Sequence, residues 1–127
     1  MSNYENYKRR FEQKTDTISN QTCLEDVSNF FQIKTELISG KSRKENIKVA
    51  RMYYYFTCRY LLSVRNSLSL GFIGKLVNRD HATVINGLSK FEDLYYTDKE
   101  FKDNYLTFIS GFYGEEFYNR AINQLSK

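Results

Sequence analysis

Between Ile73 and Val84 the chain reads Ile73-Gly74-Lys75-Leu76-Val77-Asn78-Arg79-Asp80-His81-Ala82-Thr83-Val84. A short apolar helix, a residue suited to left-handed backbone (Asn78), a capping aspartate (Asp80) and a second helix follow one another directly. The second helix opens on a polar first turn. That is the layout of a helix-turn-helix, whose second helix enters the DNA major groove with its N-terminal residues. The chain's single histidine, His81, sits in that first turn.

The rest of the chain agrees with a helical surrounding. It contains no proline and only six glycines in 127 residues, so little punctuates it. One domain is expected, an all-α, compact helical bundle of about five to seven helices containing the helix-turn-helix. Eleven tyrosines and ten phenylalanines, with no tryptophan, make a ring-rich core. No apolar run approaches the ~20 residues of a membrane span, and Met1-Ser2-Asn3-Tyr4-Glu5 lacks the apolar stretch of a secretory signal. A cytoplasmic, nucleoid-associated protein with no membrane partner is therefore expected. Cys23 and Cys58 form no CxxC pair, and no His/Cys cluster has zinc-ligand spacing, so neither a metal nor a cofactor is expected and both thiols read as structural.

Tyr4, Tyr7 and Phe11 recur at helical spacing over residues 3–14, and a polar linker follows through Gln21. Thr22 with Glu25 has capping-box spacing and opens a helix through Phe31. Thr35 caps a short helix from Glu36 to Ser39 that ends at Gly40, before the basic loop Lys41-Ser42-Arg43-Lys44-Glu45. A long helix then runs from about Asn46 to Val64. Ser69 caps the helix Leu70 to Val77, and Asp80 caps one running to about Tyr95 that buries Val84, Leu88, Phe91 and Tyr95. On that helix Ala82, Asn86 and Ser89 point away from the buried stripe, with His81 and Ile85 on its flank. Thr97 with Glu100 starts a helix carrying Phe101, Tyr105, Phe108 and Ile109, broken by Gly111 and Gly114. A last helix, Glu115 to Leu125, buries Phe117, Ala121 and Leu125. The organisation expected is an N-terminal extension over 1–21, a core domain over 22–110 and an extra C-terminal helix over 111–127.

The long helix is the most informative wheel. Ile47, Ala50, Tyr54 and Leu61 share one side, and Val49, Tyr53, Phe56 and Tyr60 another. The remaining arc carries Lys44, Lys48, Arg51, Tyr55 and Arg59, a basic strip placed to run along a phosphate backbone. Charge is concentrated around it. Residues 41–90 hold ten basic side chains (Lys41, Arg43, Lys44, Lys48, Arg51, Arg59, Arg65, Lys75, Arg79 and Lys90) against Glu45 and Asp80, a net +8 in a chain of net +4. Such a block is the footprint of a polyanion binder.

Arg79-Asp80-His81-Ala82-Thr83-Val84, with the upstream Ile73-Gly74, resembles the signature of the C-terminal DNA-binding domain of DnaA-type replication initiators. Val49-Ala50-Arg51, heading the long helix, is similar to that family's second landmark, and so is the basic loop before it. The resemblance covers roughly residues 22–110. It implies binding to a short A/T-rich duplex element of the DnaA-box type, with Asp80, His81 and Ala82 at base edges in the major groove. It also implies Thr83 and Arg51 on phosphates and Arg43 in the minor groove. Lys41, Lys44, Lys48, Arg59, Lys75 and Arg79 are the further phosphate candidates of the basic block.

The residues themselves suit these roles. Histidine can donate to a base acceptor, and aspartate can accept from a cytosine or adenine amino group, although Asp80 can equally cap the helix and orient Arg79. A histidine taken alone is more often a surface or core residue than a reader. An arginine is drawn to the enhanced negative potential of a narrow A/T minor groove. Two departures stand out. The family commonly has threonine at the Ala82 position, so only a methyl remains there, suited to a thymine methyl. The approach Ser67-Leu68-Ser69-Leu70-Gly71-Phe72 lacks the proline often found in the family.

Full-length initiators of the family carry an ATPase module, whereas this sequence has no Gly-x-x-x-x-Gly-Lys-Ser/Thr loop. Double-stranded DNA binding without ATPase activity, in replication initiation or its regulation, is the leading expectation. A domain of this type standing alone would suit a phage or mobile-element protein. The alternative is a protein–protein module that engages a host or phage replication protein, using the exposed tyrosines and the helices outside the resemblance. An enzyme is disfavoured: one histidine, no metal cluster, no nucleophile elbow and no carboxylate pair beside a base leave little to do chemistry.

Overall fold

The computed structural model of the chain describes residues 19–62 and 68–126, and these form α-helices and one π-helical segment with no strand. The expected helix over 3–14 with Tyr4, Tyr7 and Phe11, most of the linker after it, Val64 and Arg65 lie outside the described residues. The elements are α1 (Asn20–Phe31), α2 (Thr35–Ile38), α3 (Glu45–Phe56) running into the π segment Thr57–Leu61, α4 (Leu70–Lys75), α5 (His81–Thr97), α6 (Lys99–Tyr113) and α7 (Glu115–Leu125).

Most boundaries follow local chemistry. Ser69 accepts from the Phe72 N–H at 3.1 Å and Asp80 Oδ1 from the Thr83 N–H at 2.9 Å, the two caps expected. Asn78 takes the left-handed conformation (φ 59°) foreseen for it. Two other caps shift by a few residues. Ser19, not Thr22, opens α1, accepting from the Thr22 N–H at 3.2 Å. Asp98, not Thr97, opens α6, accepting from the Phe101 N–H at 3.1 Å. A cap residue must stand on extended backbone, as Ser19 and Asp98 do, whereas Thr22 and Thr97 are already helical. Thr35 is likewise the first residue of α2, and Lys34 holds the cap position. Gly111 does not break α6. An interior helical glycine costs only about 1 kcal/mol, and the burial of Phe108, Ile109 and Tyr113 around it outweighs that. Gly114, at φ 91°, ends the helix instead.

Tyr53 of α3 lies at the centre of the core, edge-on to Phe31 at 4.8 Å and to Tyr105 at 4.9 Å between ring centroids. Phe56, one turn on, stacks flat on Phe91 of α5 at 4.3 Å. Each such pair adds about 0.5–1.5 kcal/mol beyond the area it buries. The π segment keeps Thr57 and Cys58 inside, where the Thr57 hydroxyl meets the Tyr105 hydroxyl at 2.9 Å. Cys23 and Cys58 are both wholly buried, and burial pushes the Cys58 thiol up. The terminal α7 packs on α6 and the π segment through Phe117, Ala121 and Leu125, so it shares this core. No helix among the described residues is long and apolar enough to cross a membrane.

The wheel of α3 is buried on more than two sides. Ile47, Ala50, Tyr53, Tyr54, Phe56 and Leu61 are inside as expected, with Val49 and Tyr60 half-buried. Arg51 and Tyr55, assigned to the exposed basic strip, are inside as well, at 7% and 3% exposure. The reason is tertiary: α2 and its following loop cover the start of α3, and α5 presses Gly87 against the Tyr55 ring.

Candidate nucleic-acid interface

The α4–turn–α5 corner is built by backbone first. The Gly74 carbonyl accepts from Val77 N–H at 3.0 Å and from Arg79 N–H at 2.9 Å, so the chain reverses within Leu76–Arg79. Gly74 is required here because a Cβ on it would lie 2.4 Å from the Arg79 carbonyl oxygen. The Tyr54 hydroxyl donates to the Ile73 carbonyl at 2.7 Å, tying α4 to the central helix. Burial raises the Tyr54 pKa, so this donor stays protonated.

The corner is also tied to Ser39 and Gly40, which lead into the basic loop, through contacts the sequence did not reveal. Asn78 Nδ2 donates to the Ser39 carbonyl at 3.1 Å. Arg79 donates from Nη2 to the Gly40 carbonyl at 2.5 Å and from Nη1 to Val77 O at 2.8 Å. Arg51 reaches the same place from the other side: Nε donates to Ile38 O at 2.7 Å and Nη2 to Gly40 O at 2.9 Å. Two guanidinium groups therefore share one carbonyl. Desolvation, and then the proximity of Arg79, lower the Arg51 pKa, yet a guanidinium remains charged throughout the working pH range. Carbonyls at the end of a short helix have no intrahelical donor, and the two arginines supply donors to them. Arg51 is thus corrected from an exposed member of the strip to a buried anchor. Arg79, half-buried, is chiefly a brace of the turn.

What this scaffold presents is the first turn of α5 beside the loop. Asp80, His81, Ala82 and Thr83 are all exposed. The Thr83 N–H holds the Asp80 carboxyl below its usual range. The cap is therefore charged at neutral pH, and its stabilisation is lost only as pH falls through that lowered value. The Thr83 N–H and hydroxyl both serve the carboxylate, whose two oxygens offer about four acceptor sites, so acceptor capacity remains for a further partner. Lys41, Arg43, Lys44, Lys48 and Lys75 are exposed, and Lys48 makes only a loose surface pair with Glu45 at 3.8 Å. Arg59 is half-buried and donates from Nη1 to the Leu68 carbonyl at 2.8 Å, joining the π segment to the approach of α4. Of the expected strip, Lys44 and Lys48 are exposed, Arg59 is half-buried, and Arg51 and Tyr55 are buried.

The described geometry is matched by similarity to known proteins. The family model "Bacterial dnaA protein helix-turn-helix" matches residues 21–90. Among curated proteins, the chain is 37% identical over 78 residues to the chromosomal replication initiator protein DnaA of Flavobacterium psychrophilum, covering 60% of this chain and 15% of that protein. It is 36% identical over 88 residues to the DnaA protein of Lachnoclostridium phytofermentans, covering 68% of this chain and 18% of the relative. With the DnaA protein of Tropheryma whipplei it shares 32% identity over 94 residues, 73% of this chain and 19% of the relative. The chain spans less than a fifth of the length of these relatives.

Proposed function

Because the chain belongs to the bacterial DnaA helix-turn-helix family, we propose that it binds double-stranded DNA sequence-specifically, at an A/T-rich element of the DnaA-box type, in replication initiation or its regulation. The observation that carries this reading is the exposure of Asp80, His81, Ala82 and Thr83 on one helical turn, braced by Arg79 against Gly40 at the entry to the basic loop. His81 donates to a base acceptor in the major groove, and Ala82 offers its methyl to a thymine. Asp80 accepts from a base amino group while capping α5. Thr83, Lys44, Lys48, Lys41 and Lys75 contact phosphates, with Arg59 and Arg79 at the margin. Arg43 lies in the adjacent minor groove. The chain acts without nucleotide hydrolysis of its own.

His81→Ala tests the reading directly. A single base contact at the low end of the usual range removes about 1–2 kcal/mol of specific affinity and leaves random-sequence affinity unchanged. Fluorescence anisotropy on a selected duplex and on a scrambled one measures both, and an equal loss on the two would remove His81 from base reading. Arg43→Ala is expected to relax A/T preference at one end of the site in a binding-site selection. An unchanged selectivity profile there would sink the minor-groove assignment.

A second reading, engagement of a replication protein, has its own observation. A groove lined by Tyr95, Tyr96, Leu106, Tyr118, Ile122 and Leu125 opens at the far end of α5, roughly 20 Å along the helix from His81. Steep weakening of duplex binding with added salt favours the DNA reading over this one.

A further inference from the structure

We infer that the groove at the far end of α5 docks an apolar segment of a partner protein that carries a carboxylate; this rests on the second reading above, in which the chain engages a protein there. The last turn of α5 meets the start of α6 and the end of α7 around a volume of about 610 Å³. Clefts that hold a ligand measure roughly 300–1,000 Å³. The groove's walls are apolar and fixed. Tyr96 keeps 59% of its surface exposed, yet its hydroxyl donates to the Leu125 carbonyl and ties α5 to α7. Its ring stands edge-on to Tyr95 at 5.5 Å between centroids. Leu106, Tyr118 and Ile122 are half-buried, so each leaves apolar surface in water. A ring already held in place loses little freedom when a partner docks on it.

Charge selects the occupant. Lys102 is exposed, lies 5.5 Å over the Tyr95 ring and makes no ion pair among the described residues. The nearby carboxylates are engaged elsewhere: Asp103 pairs with Lys99 at 3.5 Å, and Asp98 caps α6 through the Phe101 N–H. An unpaired cation therefore stands at the edge of an apolar floor. A carboxylate placed beside apolar anchors complements both. Nucleic acid does not fit as well. Residues 91–127 carry seven carboxylates against four cations, the reverse of the basic block, so a run of phosphates meets repulsion past the two lysines. A single carboxylate need reach only Lys102, and charges further away are screened over about 8–10 Å at physiological salt. The groove's residues also lie beyond residue 90, where the family match ends.

The experiment pans the full chain against a displayed library of short random peptides. Enriched sequences should combine aromatic or aliphatic anchors with an aspartate or glutamate. The strongest of them, synthesised with a fluorophore, should bind Lys102→Glu about 3–10-fold more weakly, since an exposed attraction becomes a repulsion. Ile122→Asp should weaken it about 10-fold or more by placing a charge on the apolar floor. Exchanging the peptide's carboxylate for lysine should weaken binding to the wild type and restore binding to Lys102→Glu, a reversal that unfolding cannot produce. Thermal melting checks the fold of both variants. Peptides that ignore Lys102→Glu but are lost on Ile122→Asp overturn the carboxylate assignment and leave the protein-engaging reading standing. No enrichment, or binding that Ile122→Asp leaves intact, overturns that reading too. A dimer in sedimentation that Ile122→Asp dissociates would give the groove to a second copy of the chain. Displacement of the peptide by oligothymidylate would give it to nucleic acid, and either result overturns the inference.

Discussion

Gly74→Ala is expected to destabilise the folded chain by about 2 kcal/mol, the upper end of an overpacking cost less the helix-propensity gain, and to abolish sequence-specific DNA binding with it. The backbone at Gly74 is helical, so on an open helix surface the same change would add up to about 1 kcal/mol of stability. Here the new Cβ would stand 2.4 Å from the Arg79 carbonyl oxygen and 2.9 Å from Val84 Cγ2. The first is main chain and cannot rotate away. Relief requires shifting the turn or the start of α5, and overpacking of this kind costs about 1–3 kcal/mol or more. The clash therefore outweighs the propensity gain. The same movement would displace His81 and Ala82, because Asp80 and Arg79 join the turn directly to α5. Gly71→Ala is the matched control. Nothing lies within 4 Å of a Cβ there, so that variant should be unchanged or slightly stabilised. Urea denaturation followed by circular dichroism measures both. A Gly74→Ala protein as stable as Gly71→Ala would show that the corner yields without strain.

That corner was legible in the sequence where its chemistry is local. Ser69 and Asp80 each cap an N–H three residues on, and Asn78 takes the left-handed backbone that its type favours. The two misplaced caps, Thr22 for Ser19 and Thr97 for Asp98, show the limit of the same signal. Neighbouring hydroxyl and carboxylate residues satisfy the pattern equally, and only the backbone decides which one has left the helix. The wheel of α3 failed for a different reason. It separates an apolar surface from a polar one, but a guanidinium can be buried where unpaired carbonyls await a donor. Ile38 and Gly40 lie 13 and 11 residues before Arg51, and no periodicity joins them.

Arg51 supplies the sharpest test of how the loop and the corner are held. If it is an anchor, Arg51→Met should cost roughly 2–3 kcal/mol of stability in the absence of DNA. It removes two hydrogen bonds from a charged donor, each worth about 1.5–3 kcal/mol net, and leaves the Ile38 carbonyl buried without its donor. Part of that loss is offset, because the variant no longer desolvates a guanidinium or holds it beside Arg79. Gly40 keeps its bond from Arg79, which limits the damage further. Binding should weaken through the loop that Gly40 leads into: with one of the two arginine ties to Gly40 gone, A/T preference at the end of the site assigned to Arg43 relaxes, and the salt slope stays the same. A residue acting only as a phosphate contact behaves oppositely. Its loss leaves unfolding untouched and lowers the salt slope by about one. Arg51→Lys separates the two further, since an ammonium restores a phosphate's counter-charge but cannot span two carbonyls with the fork of a guanidinium. Equilibrium unfolding and salt-dependent anisotropy on Arg51→Met and Arg51→Lys decide between them. A stable Arg51→Lys protein with wild-type selectivity would return Arg51 to the phosphate backbone.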